Sequence, residues 1–333
     1  MIISRTPFRI SFFGGGTDYP VFYREYGGAV LNTTINKYCY ITCRYLPPFF
    51  DYKYRIRYTT REETRTVAEI KHPSVRECLN FVNLGERGVE VVHNADLPAM
   101  SGMGSSSAFT VGLLNALYAL KGQLTTKRQL ALEAIHVEQD IIGESVGSQD
   151  QTAAAFGGFN KIEFGGLRQL WVQPMTLEAG KLDFFQSHLM LFFTGFARNA
   201  SEIAGEQIKK TPEKTAELKA MHEMVDEAVR ILDGRQDGYA DFGRLLHESW
   251  MLKRGLTSRI ANAAIDEIYQ AAREAGALGG KLLGAGGGGF MLLFAPPEIH
   301  PQVREKLKEL LYVPFKFHDM GSHIVYYAPE DNY

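Results

Sequence analysis

Between Leu97 and Phe109 the chain reads LPAMSGMGSSSAF. Gly102 and Gly104 have no Cβ and let the backbone approach an anion closely, while Ser105, Ser106 and Ser107 bring hydroxyls that can donate to phosphate oxygens or ligate a divalent cation. The flanking residues place this loop. Gly88 to His93, GVEVVH, is a β-branched run that reads as a strand, and Ser106 to Leu120 carries apolar residues at helical spacing. The first turn of a helix holds unpaired N–H groups at the positive end of its dipole, so a phosphate docks there favourably. Strand, glycine loop, helix is therefore the order expected of a nucleotide-phosphate cradle, with a plain helix-capping turn as the alternative. Two common glycine signatures are excluded. No lysine lies between Ala95 and Leu120 to end a Walker A loop, and the acid expected of a dinucleotide fingerprint is missing.

Two carboxylates stand out downstream. Thr126 to Gly143 reads as one helix with Thr126 as its cap; Ala131, Ile135 and Ile142 share a face, and Glu133, His136, Asp140 and Glu144 lie opposite. Glu138 falls within the apolar face, where a carboxylate is costly unless an arginine, a lysine or a metal meets it. Asp150 sits between two glutamines in the polar stretch Ser145 to Gly158, read as a loop in which an aspartate most often caps or forms a turn. A last glycine run, Gly284 to Gly289, can bring bare backbone onto a phosphate, or can simply turn between two strands.

The chain must supply elements to position these groups. At 333 residues and 45% hydrophobic content it can bury the cores of two domains. Its 36 basic and 38 acidic residues, net −2 and without long runs of one sign, leave no footprint for nucleic acid or an anionic membrane. Cys39, Cys43 and Cys78 are too few for a disulfide framework and read as buried thiols in a reducing compartment. No apolar run approaches a membrane span and the first residues lack a signal-peptide core, so a soluble, cytoplasmic protein is expected.

Met1 to Phe13 and Ala29 to Arg44 read as strands, and Lys53 to Tyr58 with Thr64 to Val67 as the rest of a meander. His72 to Asn83 reads as a helix, and Phe159 to Phe164 with Leu167 to Val172 as a hairpin. After the strand His188 to Phe193 come helices over Glu213–Leu232, Tyr239–Gly255 and Ile260–Ala275. The tail reads as strands over Lys281–Leu283 and Phe290–Ala295, a helix over Glu298–Leu311, and strands over Pro314–His318 and His323–Tyr327. A division near residue 180 gives a strand-rich part, 1–180, and a helix-rich part, 181–333, of α+β class, the latter suited to a split βαβ sheet.

Three of these stretches resemble a known family in register. TPFRISFFGGGTDYP, PAMSGMGSSSAF and GGKLLGAGGGGF are similar to the three motifs of the GHMP kinases, in family order and spacing. The resemblance implies a two-domain fold, with an amino-terminal domain like one of a small-subunit ribosomal protein, a ferredoxin-like carboxy-terminal domain, and the active site between them. It implies ATP and Mg²⁺ as cofactors, with Pro98, Ser101, Gly102, Met103, Gly104, Ser105, Ser106 and Ser107 around the nucleotide. Ser106 and Glu138 would ligate the metal. Asp150 would orient or deprotonate the attacking hydroxyl, and Arg9 would tune that carboxylate or stabilise the transition state. Gly15, Gly16, Thr17, Asp18, Asp150, Gly286 and Gly287 would face the acceptor.

Where galactokinases carry a Glu-His pair before Thr-Asp, this chain has Gly15 and Gly16, which leaves room for a larger or charged acceptor. RISFFGGGTDYPVFY, LFFTGFARNASEI and LHESWMLKRGLTSRI resemble the branch of bacterial D-glycero-D-manno-heptose 7-phosphate kinases and their fucokinase-like relatives. That resemblance implies transfer to the anomeric hydroxyl of a sugar phosphate, giving a 1,7-bisphosphate for GDP-heptose and surface polysaccharide. A kinase of free hexose and a catalytically silent nucleotide and sugar sensor remain the alternatives, and a homodimer is left open. A distal phosphate needs a cation; Arg198 is the first candidate, ahead of Lys253, Arg254 and Arg259. Arg198→Ala is expected to raise KM for a 7-phosphorylated heptose far more than KM for ATP in steady-state kinetics, and equal effects would remove Arg198 from the phosphate site.

Overall fold

Two long and largely buried strands form the centre of the fold. In the computed structural model, which describes residues 1–165, 169–195, 200–234 and 238–329, β1 (Ile2–Phe13) pairs antiparallel with β2 (Gly28–Tyr45). The 18 residues of β2 are enough for three partners: its second half also pairs with β5 (Val89–Ala95) and its first half with β6 (Phe159–Phe164). β3 (Tyr54–Arg57) and β4 (Arg61–Thr64) extend the sheet beyond β5, and β7 (Leu170–Pro174) follows β6. Helix α3 (Ser105–Leu120) lies across β1 and β2, with α2 (Pro73–Val82), α4 (Lys127–His136) and α5 (Gln149–Phe156) around it. Thirteen of its sixteen residues are buried, so α3 is the hub of this layer. Thr126 caps α4 as expected, its hydroxyl accepting from the Gln129 N–H at 3.1 Å.

The second sheet has the order β11 (Leu311–Tyr312), β8 (Leu189–Phe193), β10 (Phe290–Phe294), β9 (Gly279–Leu282), all antiparallel. Helices α7 (Ala200–Lys210), α8 (Thr215–Asp233), α9 (Tyr239–Arg254) and α10 (Ala263–Glu274) intervene between β8 and β9, and α11 (His300–Lys306) between β10 and β11. This is the connectivity of a split βαβ unit. A short helix, α1 (Pro20–Tyr26), follows the first glycine motif, and α6 (Ala179–Ser187) leads into β8.

Several expectations are corrected. His323 to Tyr327 (β12) leaves the helix-rich part and pairs with β1 at the edge of the first sheet. Pro314 to His318 makes one bridge, Phe317 to Ile35, rather than a strand, and the helix expected through Leu311 ends at Lys306, with Leu311 and Tyr312 pairing on β8. The partner of β3 begins at Arg61 rather than Thr64, and β3 runs parallel to β5. The stretch around Asp150 is helical: Ser148 stands just before α5, its carbonyl taking the Thr152 hydroxyl at 2.7 Å, and Ala153 to Ala155 favour the helix that Gln-Asp-Gln obscured. All three cysteines are buried and unbonded.

An aromatic cluster joins the layers. Phe185 on α6 packs on Phe12 of β1, Phe242 of α9 and Phe294 of β10, with ring centroids 5.6, 4.7 and 5.9 Å away. Phe185→Ala is expected to destabilise the protein by about 3–5 kcal/mol in urea unfolding, and a cost below about 1 kcal/mol would show that this cluster does not hold the sheets together.

Candidate active site

Arg9, on β1 and 4% exposed, ties three elements together. Its backbone N–H donates to the Met103 carbonyl at 3.2 Å and its Nη1 to the Gly102 carbonyl at 2.8 Å. Nε and Nη2 grip Asp150 at 2.7 and 2.9 Å, a bidentate pair that fixes the carboxylate in the first turn of α5. A Cβ on Gly104 would lie 3.3 Å from Asp150 Oδ2, so the carboxylate stands against the glycine loop. Gly104 precedes α3 in a left-handed conformation (φ 73°), and no side chain caps the helix. The first-turn N–H groups of α3 are thereby left to an incoming anion.

Glu138 does not sit on a regular helix. A single π turn, Val137 to Ile141, continues α4, and Glu138, on the apolar face that the helical period predicted, is fully buried. Among the described residues no basic side chain meets it. Its Oε2 accepts from Ser107 Oγ at 2.8 Å and from Gln151 Nε2, and the Thr110 hydroxyl stabilises the carboxylate as well, while among the described residues Oε1 has no well-formed hydrogen bond. Burial pushes its pKa up to about 7. A buried carboxylate oxygen left without a well-formed hydrogen bond beside serine hydroxyls suits a hard divalent cation, which takes oxygen ligands and keeps waters or phosphate oxygens in the remaining positions. The hydroxyl that reaches Glu138 is Ser107's rather than that of Ser106, the expected co-ligand, which is exposed at the mouth of the loop.

The first motif folds back on itself. Thr17 is fully buried and its hydroxyl donates to the Gly14 and Ala29 carbonyls, so it shapes the turn rather than facing an acceptor. Asp18, 3% exposed, accepts from the Gly16 N–H at 2.9 Å and the Gln149 N–H at 3.4 Å. Burial, reinforced by the nearby Asp150 charge, raises its pKa. Gly15 is buried, and a Cβ there would meet Gln149 Nε2 and Ser11 Oγ in ordinary contact at 3.8 Å.

The last glycine run closes the site from the other side. A Cβ on Gly102 would lie 2.5 Å from the Leu283 carbonyl oxygen, and one on Gly284 would lie 2.4 Å from the Gly102 Cα. Both residues have positive φ, 79° and 75°, and only glycine allows this approach. The Gly287 N–H is taken by the Ile260 carbonyl at 2.9 Å, and Gly286 packs against Ile260.

Arg9, Asp18, Gly102, Gly104, Ser105 to Ser107, Glu138, Asp150 and Gly284 to Gly289 thus converge. Ser101 and Met103 are buried beneath the loop, the Ser101 hydroxyl without a partner, and Pro98 is exposed before it. Arg198 lies outside the described residues. Of the weaker cation candidates, Arg254 pairs with Asp266 at 2.6 Å and Arg259 with Glu206 at 3.1 Å, whereas Lys253 is buried and turned inward. Gln151, Lys253 and Lys281 are the residues that sequence reasoning undervalued; a lysine within the apolar run before the last glycines was the available signal.

The chain belongs to the GHMP kinase family: the pattern for the GHMP kinases N terminal domain matches residues 73–158, and that for the GHMP kinases C terminal domain matches residues 235–313. It is 29% identical over 307 residues to the D-glycero-alpha-D-manno-heptose 7-phosphate kinase of Campylobacter jejuni, covering 89% of this chain and 90% of that one. A mevalonate kinase of Thermococcus sibiricus is 30% identical over 232 residues, 67% of this chain and 65% of the relative. The crystal structure of a D-glycero-D-manno-heptose 1-phosphate kinase from Bacteroides thetaiotaomicron superposes with a TM-score of 0.76 at 25% identity, over 97% of this chain and 98% of that one.

Glu138→Gln removes the buried charge and keeps the means to hydrogen-bond Ser107 and Gln151. In the absence of divalent cations its Tm is expected to equal or exceed that of the wild type, while the extra stabilisation that Mg²⁺ adds to a bound ATP analogue is lost. Equal Mg²⁺-dependent shifts in both proteins would remove Glu138 from a metal site.

Proposed function

We propose that this protein is an ATP-dependent sugar kinase that transfers the γ-phosphoryl group to the anomeric hydroxyl of a heptose 7-phosphate, giving a 1,7-bisphosphate on the route to GDP-heptose for surface polysaccharide. The observation that carries the reading is the Arg9–Asp150 pair, held against the uncapped start of α3 and beneath the closing glycine run. In this reading the chain divides near residue 180, and the cleft between its parts receives both substrates.

Phosphoryl transfer asks a protein chiefly to position its reactants and to stabilise charge on the moving group. The N–H groups and hydroxyls of Ser105 to Ser107 bind the triphosphate, and Gly102 and Gly104 let it approach the backbone. Glu138 and Ser106 would hold Mg²⁺, which when bound neutralises phosphate charge. Asp150 accepts the hydrogen bond of the anomeric hydroxyl and takes its proton as the oxygen attacks. An anomeric hydroxyl is more acidic than an ordinary alcohol, so this transfer asks little of the carboxylate. Arg9 holds Asp150 in line and faces the charge that develops on the phosphoryl oxygens. Asp18 fixes the start of α5 through the Gln149 N–H, and with it the aim of Asp150.

One feature supports a phosphorylated acceptor. Beside Gly16 and Tyr19, a narrow pocket is walled by Gln207, Lys210 and Lys214, so cations stand at that end, although Lys210 and Lys214 here pair with Glu206 and Glu217.

ADP release over a panel of sugars, with and without a terminal phosphate, tests the acceptor. Heptose 7-phosphate is expected to be the best substrate, with phosphorus NMR showing a new anomeric phosphate. Preference for a free hexose would reassign the acceptor, and nucleotide binding without turnover on any sugar would favour a sensor. Asp150→Asn is expected to cut kcat by about 10²–10⁴-fold while an ATP analogue still binds; near-normal turnover would remove the base.

A further inference from the structure

Two buried lysines stand behind the reacting groups, and the mechanism above uses neither. Lys281, on β9 and 1% exposed, donates to the Phe12 carbonyl of β1 at 2.8 Å and so bridges the two sheets. Lys253, on the last turn of α9 and 5% exposed, donates to the Gly284 carbonyl at 2.5 Å, at the residue that touches Gly102. Among the described residues no carboxylate comes within 4 Å of the Lys253 ammonium, yet Asp18 of the first motif, Asp150 of α5 and Arg9 of β1 all lie within its electrostatic reach. Lys281, from the neighbouring β9, feels the Lys253 charge as well.

A buried ammonium with one carbonyl acceptor is an expensive way to hold a loop, since any neutral donor would serve. Its position explains its use. The α9 cation comes from the second part of the chain and Arg9 from the first, so that Asp150 feels positive charge from both, and Asp18 that of Lys253.

We propose that Lys253 is a positioning residue for phosphoryl transfer: its ammonium holds the run Gly284–Gly289 closed on the phosphate loop and, as a charge, steadies Asp18 and Asp150 when the triphosphate enters. This rests on the kinase reading and adds to it a contribution from the second part of the chain. The burial of Lys253, with Arg9 adding to it, lowers its pKa to about 8 in the empty protein. An arriving polyanion restores the charged form, so nucleotide binding near that pH is accompanied by proton uptake.

Calorimetric titration with a non-hydrolysable ATP analogue and Mg²⁺ at pH 8, in two buffers of different ionisation heat, measures that uptake directly. The wild type is expected to take up a fraction of a proton that Lys253→Met does not, with Tm confirming that the variant is folded. In turnover, Lys253→Met is expected to lose about 100-fold in kcat with a smaller change in the KM for ATP. Lys253→Arg, whose guanidinium keeps its proton, recovers part of that loss and moves the alkaline limb of the kcat/KM profile, which reports the free protein, to higher pH than in the wild type. Equal proton uptake by the wild type and Lys253→Met, or an alkaline limb unchanged in Lys253→Arg, would reduce Lys253 to a structural tie. Failure of the analogue to bind the wild type at all would instead overturn the kinase reading.

Discussion

The contact of backbone on backbone between Gly102 and Gly284 sets the geometry of everything near it. It brings the loop that starts α3 and the loop that joins β9 to β10 closer than any side chain would permit. The Gly102 carbonyl also receives Arg9, and Arg9 holds Asp150, so a shift at this contact is passed to the carboxylate through two hydrogen-bonded steps. On the other side the Gly284 carbonyl receives Lys253. One point of close approach therefore aligns an acid, two cations and the N-terminus of a helix.

Around that contact the protein buries charge in a way that folding alone does not favour. Arg9 is compensated by Asp150, but Glu138 keeps an oxygen without a well-formed hydrogen bond, Asp18 depends on backbone N–H groups, and Lys253 and Lys281 rely on single carbonyls. Burial is the first cause of the raised pKa of Asp18 and Glu138 and of the lowered pKa of both lysines. Perturbations that cluster in this way are characteristic of a site whose groups are arranged for a ligand's charge rather than for each other. A triphosphate with its metal supplies both signs at once.

Much of this could be read in the residues because local patterns carry it. Strand, glycine loop and helix around Gly102 follow from periodicity and from the absence of Cβ atoms, and the two-sheet class follows from the alternation of elements. What could not be read depends on long-range packing. The return of β12 to β1 is a pairing across almost the whole chain, and nothing local distinguishes an edge strand of one sheet from that of the other. The π turn at Glu138 arises within a sequence whose period is that of an ordinary helix. Lys253, between Leu252 and Arg254 on a helix of mixed composition, has the local appearance of a solvated charge, and only the docking of α9 against β9 and β1 turns it inward.

Hydrogen–deuterium exchange, with and without an ATP analogue and Mg²⁺, tests most directly whether two loops far apart in the chain form one phosphate site. Peptides covering residues 101–107 and 284–289 are expected to gain protection together, at the same nucleotide concentration. Protection of the first with no change in the second would contradict a site closed by both.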